Sequence, residues 1–281
     1  MTKGLAVHIG LNRVDPAHYG GWSGALTACE ADAQDMAALA RAEGYETEVF
    51  LTANATRAAV LGSLERAATA LTSGDILLLT YSGHGGQLPD VNGDEADLQD
   101  ETWCLYDGEL VDDELGLAWA GFAAGVRILV LSDSCHSGSV TRLAYDELAR
   151  TGTARRPVSR SVDESDLVYR AMPDEVALRT YRQNRDVYRR IAEALPATLP
   201  PITCAVRLIS GCQDNQLSQD GTFNGLFTGT LLRVWKDGAF RGDYYRFHRD
   251  IVRRMPPTQS PNHFVTGVPN EAFDKQRPFT I

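Results

Sequence analysis

No run of eighteen apolar residues occurs in the 281-residue chain, so the sequence offers no membrane-spanning helix. Met1-Thr2-Lys3-Gly4 leads directly into Leu5-Ala6-Val7-His8-Ile9-Gly10, six apolar-leaning residues that are too short for a signal-peptide core and lack its cleavage pattern. A cytoplasmic location is therefore expected, and Asn54-Ala55-Thr56 carries no meaning as a glycosylation site. Cysteine is scarce. The five present (Cys29, Cys104, Cys135, Cys204 and Cys212) are odd in number and include no C-x-x-C pair, which fits neither a disulfide scaffold nor a zinc ribbon. Positive charge is also in deficit. A formal net charge of −10 argues against nucleic-acid or anionic-membrane partners and favours basic ones. Internal repeats are lacking as well.

What the chain does have is an alternation of strand-like and helix-like segments, with 43% apolar residues, enough for one large domain or two small ones. Leu5–Gly10 reads as a strand, Ala25–Glu43 as a helix stopped by Gly44, and Tyr45–Leu51 as a second strand. Asn54 is the expected N-cap of a helix over Ala55–Leu71, where Val60, Leu64, Ala67, Ala68 and Leu71 share a face. Two apolar runs follow, Ile76–Tyr81 and Val126–Leu131, separated by an acidic loop and a short helix near Asp113–Phe122. Such alternation predicts an α/β protein with a mainly parallel sheet covered by helices on both faces.

Between about 143 and 201 the character changes. Arg150 to Arg160 holds four arginines and no acid, Ser161 to Asp166 turns acidic and polar, and a helical segment over Pro173–Leu195 is closed by Pro196, Pro200 and Pro201. This reads as a linker or insertion rather than a strand. Thr203–Cys212 restores the strand pattern, Gly225–Trp235 and Asp243–Met255 read as helices, and Asn262–Gly267 as a last edge strand.

Two motifs sit at the ends of the apolar runs. Tyr81-Ser82-Gly83-His84-Gly85-Gly86 follows the first, and Asp133-Ser134-Cys135-His136-Ser137-Gly138 follows the second, with His84 and Cys135 51 positions apart. The C-terminal ends of parallel strands are where open α/β sheets hold their active sites. A histidine beside a thiol raises its nucleophilicity by taking the proton or pairing with the anion. Backbone N–H groups of Gly85 and Cys135 are candidate donors to the oxyanion that forms. A structural pair of core residues stays open as the alternative on chemistry alone.

Those residues carry a resemblance. Tyr-Ser-Gly-His-Gly followed about fifty residues later by Asp-Ser-Cys-His-Ser-Gly resembles the metacaspase group of caspase-like cysteine peptidases, including its compact bacterial members. The likeness covers most of Leu5 to Ser139 and resumes at Leu208-Ile209-Ser210-Gly211-Cys212-Gln213-Asp214-Asn215-Gln216. It implies a caspase-like three-layer sandwich, with a mostly parallel six-stranded sheet flanked by helices. It also implies a single catalytic domain over 1–281, with a large-subunit-like part (1–142), a linker (143–201) and a small-subunit-like part (202–281). The resemblance assigns the base to His84, the nucleophile to Cys135 and a structural role to His136.

Caspases prefer aspartate before the scissile bond, whereas metacaspases prefer arginine or lysine. Asp133 lies two residues before Cys135, so both side chains lean to one side of the sheet end. Cys29 and Asp32 match the metacaspase specificity-pocket segment, and Ser82 matches its serine. Two carboxylates facing a guanidinium would supply charge-assisted hydrogen bonds. Cleavage of protein or peptide substrates after Arg or Lys, by a monomer, is the expectation.

The resemblance further maps calcium ligands onto Asp100, Asp112 and Asp113. Arg142 stands where a fourth aspartate is expected, so a calcium site and a solvated acidic loop both stay open. The stretch Asp90–Glu101 is not an EF-hand, because Glu95 occupies the position that needs glycine. Arg150, Arg155 and Arg160 are candidate self-processing sites, while Arg156 precedes Pro157, a poor leaving position. Two non-peptidase readings remain beside the enzyme: an idle caspase-fold interaction protein, and a redox-sensing thiol with Cys212 as the candidate partner of Cys135.

Overall fold

The computed structural model describes residues 2–89, 99–134, 168–212, 219–221 and 223–281. In chain order, the first elements are β1 (Gly4–Gly10), α1 (Cys29–Ala42), β2 (Glu46–Leu51), α2 (Arg57–Ala70) and β3 (Ile76–Ser82). Next come β4 (Gly85–Pro89), β5 (Gln99–Leu105), β6 (Gly108–Val111), α3 (Asp112–Ala120) and β7 (Arg127–Asp133). The C-terminal elements are α4 (Asp174–Ala194), β8 (Ala205–Ser210), α5 (Leu226–Trp235), α6 (Tyr244–Val252), β9 (Asn262–Gly267) and α7 (Glu271–Lys275).

Six strands form one sheet in the order β2-β1-β3-β7-β8-β9. All neighbours are parallel except the edge pair β8–β9. The continuous apolar runs become the two central strands because both faces are covered. Alternation along a strand sends Leu77 and Leu79 to one face and Ile76 and Leu78 to the other. The first face packs with Ile9, Ile128, Val130 and Leu208 against Val60, Leu64, Leu115 and Trp119 of α2 and α3. The second packs with Leu129, Leu131 and Ile209 against Met36 and Leu39 of α1, Phe227 and Leu231 of α5, and Phe247 and Ile251 of α6. This is the three-layer α/β architecture expected. None of the helices among the described residues is long and apolar enough to cross a membrane.

Three local expectations are corrected. First, α1 begins at Cys29 rather than Ala25, because Asn12 Oδ1 accepts from the Glu30 N–H and the carboxylate of Asp220 accepts from the Thr27 N–H, tying down the preceding backbone. Second, Thr56 and not Asn54 caps α2; its hydroxyl oxygen accepts from the Ala59 N–H at 3.2 Å, while Asn54 ends a short 3-10 turn. Third, the acidic loop is flanked by structure the pattern did not predict, a separate antiparallel sheet of β4, β5 and β6.

Strand register positions the site. Ser82 pairs with Asp133 across β3 and β7, and Gly10 pairs with Ser82 across β1 and β3. The chain therefore leaves β3 toward His84 and β7 toward Ser134 at one edge of the sheet.

Candidate active site

His84 stands two residues beyond β3, buried, with its backbone carbonyl accepting from the Cys104 N–H at 2.9 Å and the Tyr81 hydroxyl at 2.7 Å. Its Nε2 lies 3.0 Å from the carbonyl oxygen of Gly24. A carbonyl only accepts, so that nitrogen carries the proton, and in the neutral ring Nδ1 holds the lone pair. Nδ1 has no hydrogen-bond partner among the described residues. Burial pushes the His84 pKa down to about 4, the Gly24 carbonyl works against that shift, and the Arg170 guanidinium adds to it. The ring is thus a neutral base at pH 7. Trp22 covers it at 4.7 Å between ring centroids. Gly24 adopts φ +53°, and a Cβ there would come within 2.9 Å of the His84 Cδ2.

Beside the histidine lies a buried acidic pocket, and it is filled. The side chain of Arg170, wholly shielded from solvent, occupies it. Its Nη2 donates to Asp32 Oδ2 at 2.8 Å and to Asp220 Oδ1 at 2.9 Å; its Nη1 donates to Ser82 Oγ at 2.7 Å and lies 3.1 Å from Asp133 Oδ2. Nε donates to Asp220 at 3.3 Å. The fork of donors on a guanidinium matches this ring of acceptors, which a single ammonium would fill less completely. Ser82 also donates its own hydroxyl proton to Asp32 at 2.7 Å, joining the two walls of the pocket.

Each carboxylate is built in by more than the arginine. Asp32, on the first turn of α1, accepts from the Gly225 N–H and from Asn224 Nδ2, both at 3.0 Å. Asp133, at the end of β7, accepts from the Thr228 N–H at 3.0 Å and the Thr228 hydroxyl at 2.8 Å, at the N-terminal turn of α5 where the helix dipole favours an anion. Asp220 accepts from the Thr27 N–H at 2.8 Å and its hydroxyl at 2.9 Å. Burial raises Asp32, to about 6, against the pull of Arg170; Asp220, less enclosed, is held by Arg170 and Thr27 below the usual carboxylate range despite its own burial. Cys29 is buried, and burial pushes its thiol up to about 12, leaving it neutral beside the guanidinium.

The backbone around Arg170 is equally ordered. Its carbonyl accepts from the Gly85 N–H at 3.0 Å, and the Met172 N–H donates to the Gly85 carbonyl at 2.8 Å. On the other side, Tyr169 bridges Gln219 in antiparallel fashion and the Asp220 N–H donates to the Val168 carbonyl at 2.9 Å. Residues 168–172, in the middle of the expected linker, are therefore an extended segment seated in the site.

Of the residues expected from sequence, His84, Gly85, Asp32, Ser82, Asp133 and Cys29 come together. Cys135 lies outside the described residues, as do His136, Arg142, Arg150, Arg155 and Arg160. Ser134, the last described residue before Cys135, is buried, and the Cys212 thiol donates to its carbonyl at 3.3 Å. Sequence reasoning missed Asp220, Gly225 and Arg170. A glycine opening a helix beside the ends of β7 and β8 is a readable signal; a single arginine in a basic linker is not.

The calcium set assembles less well. Asp100 and Asp113 line one small cavity with Leu88, Tyr181 and Tyr188. Among the described residues no group of three or more His, Cys, Asp or Glu is gathered to hold a metal ion. Asp100, Asp112 and Asp113 thus do not form a donor set by themselves.

The caspase-domain model (Peptidase_C14) matches residues 3–278. Metacaspase-1 of Schizosaccharomyces pombe is 29% identical over 266 residues, covering 84% of this chain and 59% of that protein. The chain thus spans little more than half the length of that curated relative. A crystal structure of protein GSU0716 from Geobacter sulfurreducens superimposes with a TM-score of 0.84 at 56% identity, covering 99% of this chain and 98% of that one. Caspase-1 from Spodoptera frugiperda shares the fold with a TM-score of 0.56 at 12% identity, covering 95% and 86%.

Proposed function

The chain belongs to the caspase-domain family, and from that premise we propose that it is a cysteine endopeptidase that hydrolyses protein or peptide bonds after Arg or Lys. The observation that carries this reading is the convergence of Asp32, Asp133, Asp220 and Ser82 on one guanidinium next to His84. Three buried carboxylates would repel an aspartate side chain and leave it unpaired, so the same pocket rejects the substrate of an Asp-selective enzyme.

In the proposed reaction the Cys135 thiol attacks the substrate carbonyl and His84 Nδ1 takes its proton. The Gly85 N–H holds the carbonyl oxygen as negative charge develops there. The imidazolium then protonates the leaving amine, and water hydrolyses the thioester. Gly24 acts through His84: by accepting from Nε2 it fixes the tautomer that leaves Nδ1 basic. Action as a monomer is a further part of the proposal, supported by the resemblance to metacaspases.

Self-processing in the basic stretch at Arg150, Arg155 or Arg160 and stimulation by calcium are further parts of the proposal, supported by composition and resemblance. The redox reading is favoured by one contact, that of Cys212 with the residue before Cys135. The test is a set of fluorogenic peptides differing only in the residue before the scissile bond. Turnover of the Arg and Lys peptides, lost in Cys135→Ala and absent for the Asp peptide, supports the peptidase. Equal or faster turnover of the Asp peptide overturns the specificity. A peptidase-inactive chain with a Cys135–Cys212 disulfide on mild oxidation supports the redox reading.

A further inference from the structure

The loop between β1 and α1 reaches from α4 on one side to His84 on the other. Its first half is tied to the core. The Asp15 N–H donates to the Tyr106 carbonyl at 2.9 Å, and the buried Tyr19 donates its hydroxyl proton to the Leu105 carbonyl at 2.7 Å. Gly20 and Gly21 then turn the chain at φ +59° and +92°, a backbone that residues with side chains rarely adopt. The turn delivers Trp22, half-buried, with its ring centroid 6.1 Å from that of Tyr19 and 4.7 Å from that of His84. Two residues on, Gly24 presents its carbonyl to His84 Nε2 at 3.0 Å. A Cβ on Gly24 would come within 2.7 Å of Trp22 Cη2 as well as 2.9 Å of His84 Cδ2, so indole and imidazole close on the same bare Cα.

α4 grips this loop from outside. Gln183 Nε2 donates to the Ala17 carbonyl and Asn184 Nδ2 to the His18 carbonyl, both at 2.9 Å, while His18 Nε2 lies 2.7 Å from the Tyr188 hydroxyl. Arg179 packs over Gly20, where a Cβ would meet its Nε at 2.7 Å. Four side chains of one helix therefore hold Ala17, His18 and Gly20, directly before the turn that delivers Trp22. Asn184 also stands at a break in the helix, with φ −111° and ψ 19°, and its Nδ2 donates to the Thr180 carbonyl at 2.9 Å.

We infer that Trp22 and Asn184 are positioning residues for His84: the indole holds the imidazole against the Gly24 carbonyl, and Asn184 holds the loop that carries both. This assignment rests on the peptidase reading above and adds to it the parts that keep the base in place. The indole has a second effect. When Nδ1 takes a proton, positive charge appears on a buried ring, favoured by Asp220 and opposed by the Arg170 guanidinium. An aromatic ring at this distance attracts a cation, so Trp22 supports the imidazolium more than the neutral imidazole. Its contribution falls on the chemical step rather than on substrate binding. Asn184 acts on His84 only through the loop.

The test reads the His84 ring by nuclear magnetic resonance of labelled histidine and reads turnover separately. The His84 signals are those missing from His84→Gln, and wild type should show the Nε2-protonated tautomer alone at pH 7. Trp22→Leu and Asn184→Ala should each give a mixture of tautomers with unchanged circular dichroism, while Trp22→Phe, which keeps an aromatic face, retains the single form. On an Arg peptide, Trp22→Leu should lower kcat about tenfold and Asn184→Ala about threefold, with KM within about twofold of wild type. Because both act through one loop, the double variant should lose less than the roughly thirtyfold of independent effects. An unchanged single tautomer in either variant overturns the inference, as does a loss confined to KM or a double variant at about thirtyfold. If Trp22→Leu does not fold, Asn184→Ala decides by the tautomer and the kcat. Wild type that turns over no peptide defeats the peptidase reading, and the tautomers still decide whether the loop positions the ring.

Discussion

Oδ2 of Asp133 and the point where a side chain on Gly225 would begin are 2.5 Å apart. Gly225 has φ −58° and ψ 153°, a backbone that alanine adopts without strain, so Gly225→Ala tests space alone. The added methyl would lie 2.5 Å from Arg170 Nη1 and force the guanidinium aside. The expected result is a fall of about 10- to 100-fold in kcat/KM for an Arg peptide, with secondary structure retained by circular dichroism. Unchanged kcat/KM would show that substrate guanidinium does not reach this depth.

Each pocket carboxylate should matter to specificity in its own way. Asp133→Asn removes a charge while keeping an acceptor for Thr228. It is expected to lower kcat/KM for Arg by about 10- to 100-fold, or about 1.4–2.7 kcal/mol, with a smaller loss for a neutral residue at that position. Asp220→Asn should give a loss of the same order, because Asp220 takes two of the guanidinium contacts. A variant that loses activity equally on all peptides would place its aspartate in folding rather than recognition.

Histidine burial sets one pH dependence. His8, fully buried on β1 with Nδ1 at 2.9 Å from Thr80 Oγ1, has its pKa pushed by burial, with a smaller effect of Arg41, down to about 3. The unfolded chain binds a proton below pH 6.5 that the native state refuses until about pH 3. Stability from this group is therefore intact above pH 6.5 and lost as pH falls through that window. Raised carboxyls at Asp32 and Glu109 act in the opposite direction, so the measurement is a difference. Between pH 6.5 and 4.5, wild type should lose about 1.4 kcal/mol per pH unit more than His8→Asn in urea unfolding. Parallel curves for the two proteins would contradict a neutral buried His8.

Calcium gives a fourth measurement. After EGTA treatment, peptide turnover titrated with calcium should rise if the acidic segment supplies the oxygens that Asp100 and Asp113 lack by themselves. Asp100→Asn together with Asp113→Asn should then remove the rise. A rate that EGTA and calcium both leave unaltered makes the segment a solvated acidic loop.

The central strands were legible because burial on both faces writes an unbroken apolar run, and the strand-end placement of His84 followed from that. Asp32 was legible only through the motif resemblance, and Asp133 also through its place two residues before Cys135; their convergence depends on β1, β3 and β7 being neighbours, which no local pattern encodes. The β4–β6 sheet was not legible, since its strands lack an unbroken apolar run and pack against Tyr188 and Ile191 of a distant helix. Arg170 was hidden for a different reason. Its environment comes from four separate segments (Asp32, Ser82, Asp133 and Asp220), and a lone arginine after a basic, polar stretch has the composition of exposed chain.

In the proposed enzyme an acidic pocket presents basic residues to the Cys135 sulfur, a placement that covalent labelling reads out. Its most direct test is labelling of incubated protein with peptidyl chloromethyl ketones ending in Arg or in Asp, mapped by tandem mass spectrometry. One adduct is expected from the Arg reagent, on Cys135, and none from the Asp reagent. Labelling at Cys29, Cys104, Cys204 or Cys212 instead, or equal labelling of Cys135 by the Asp reagent, would contradict it.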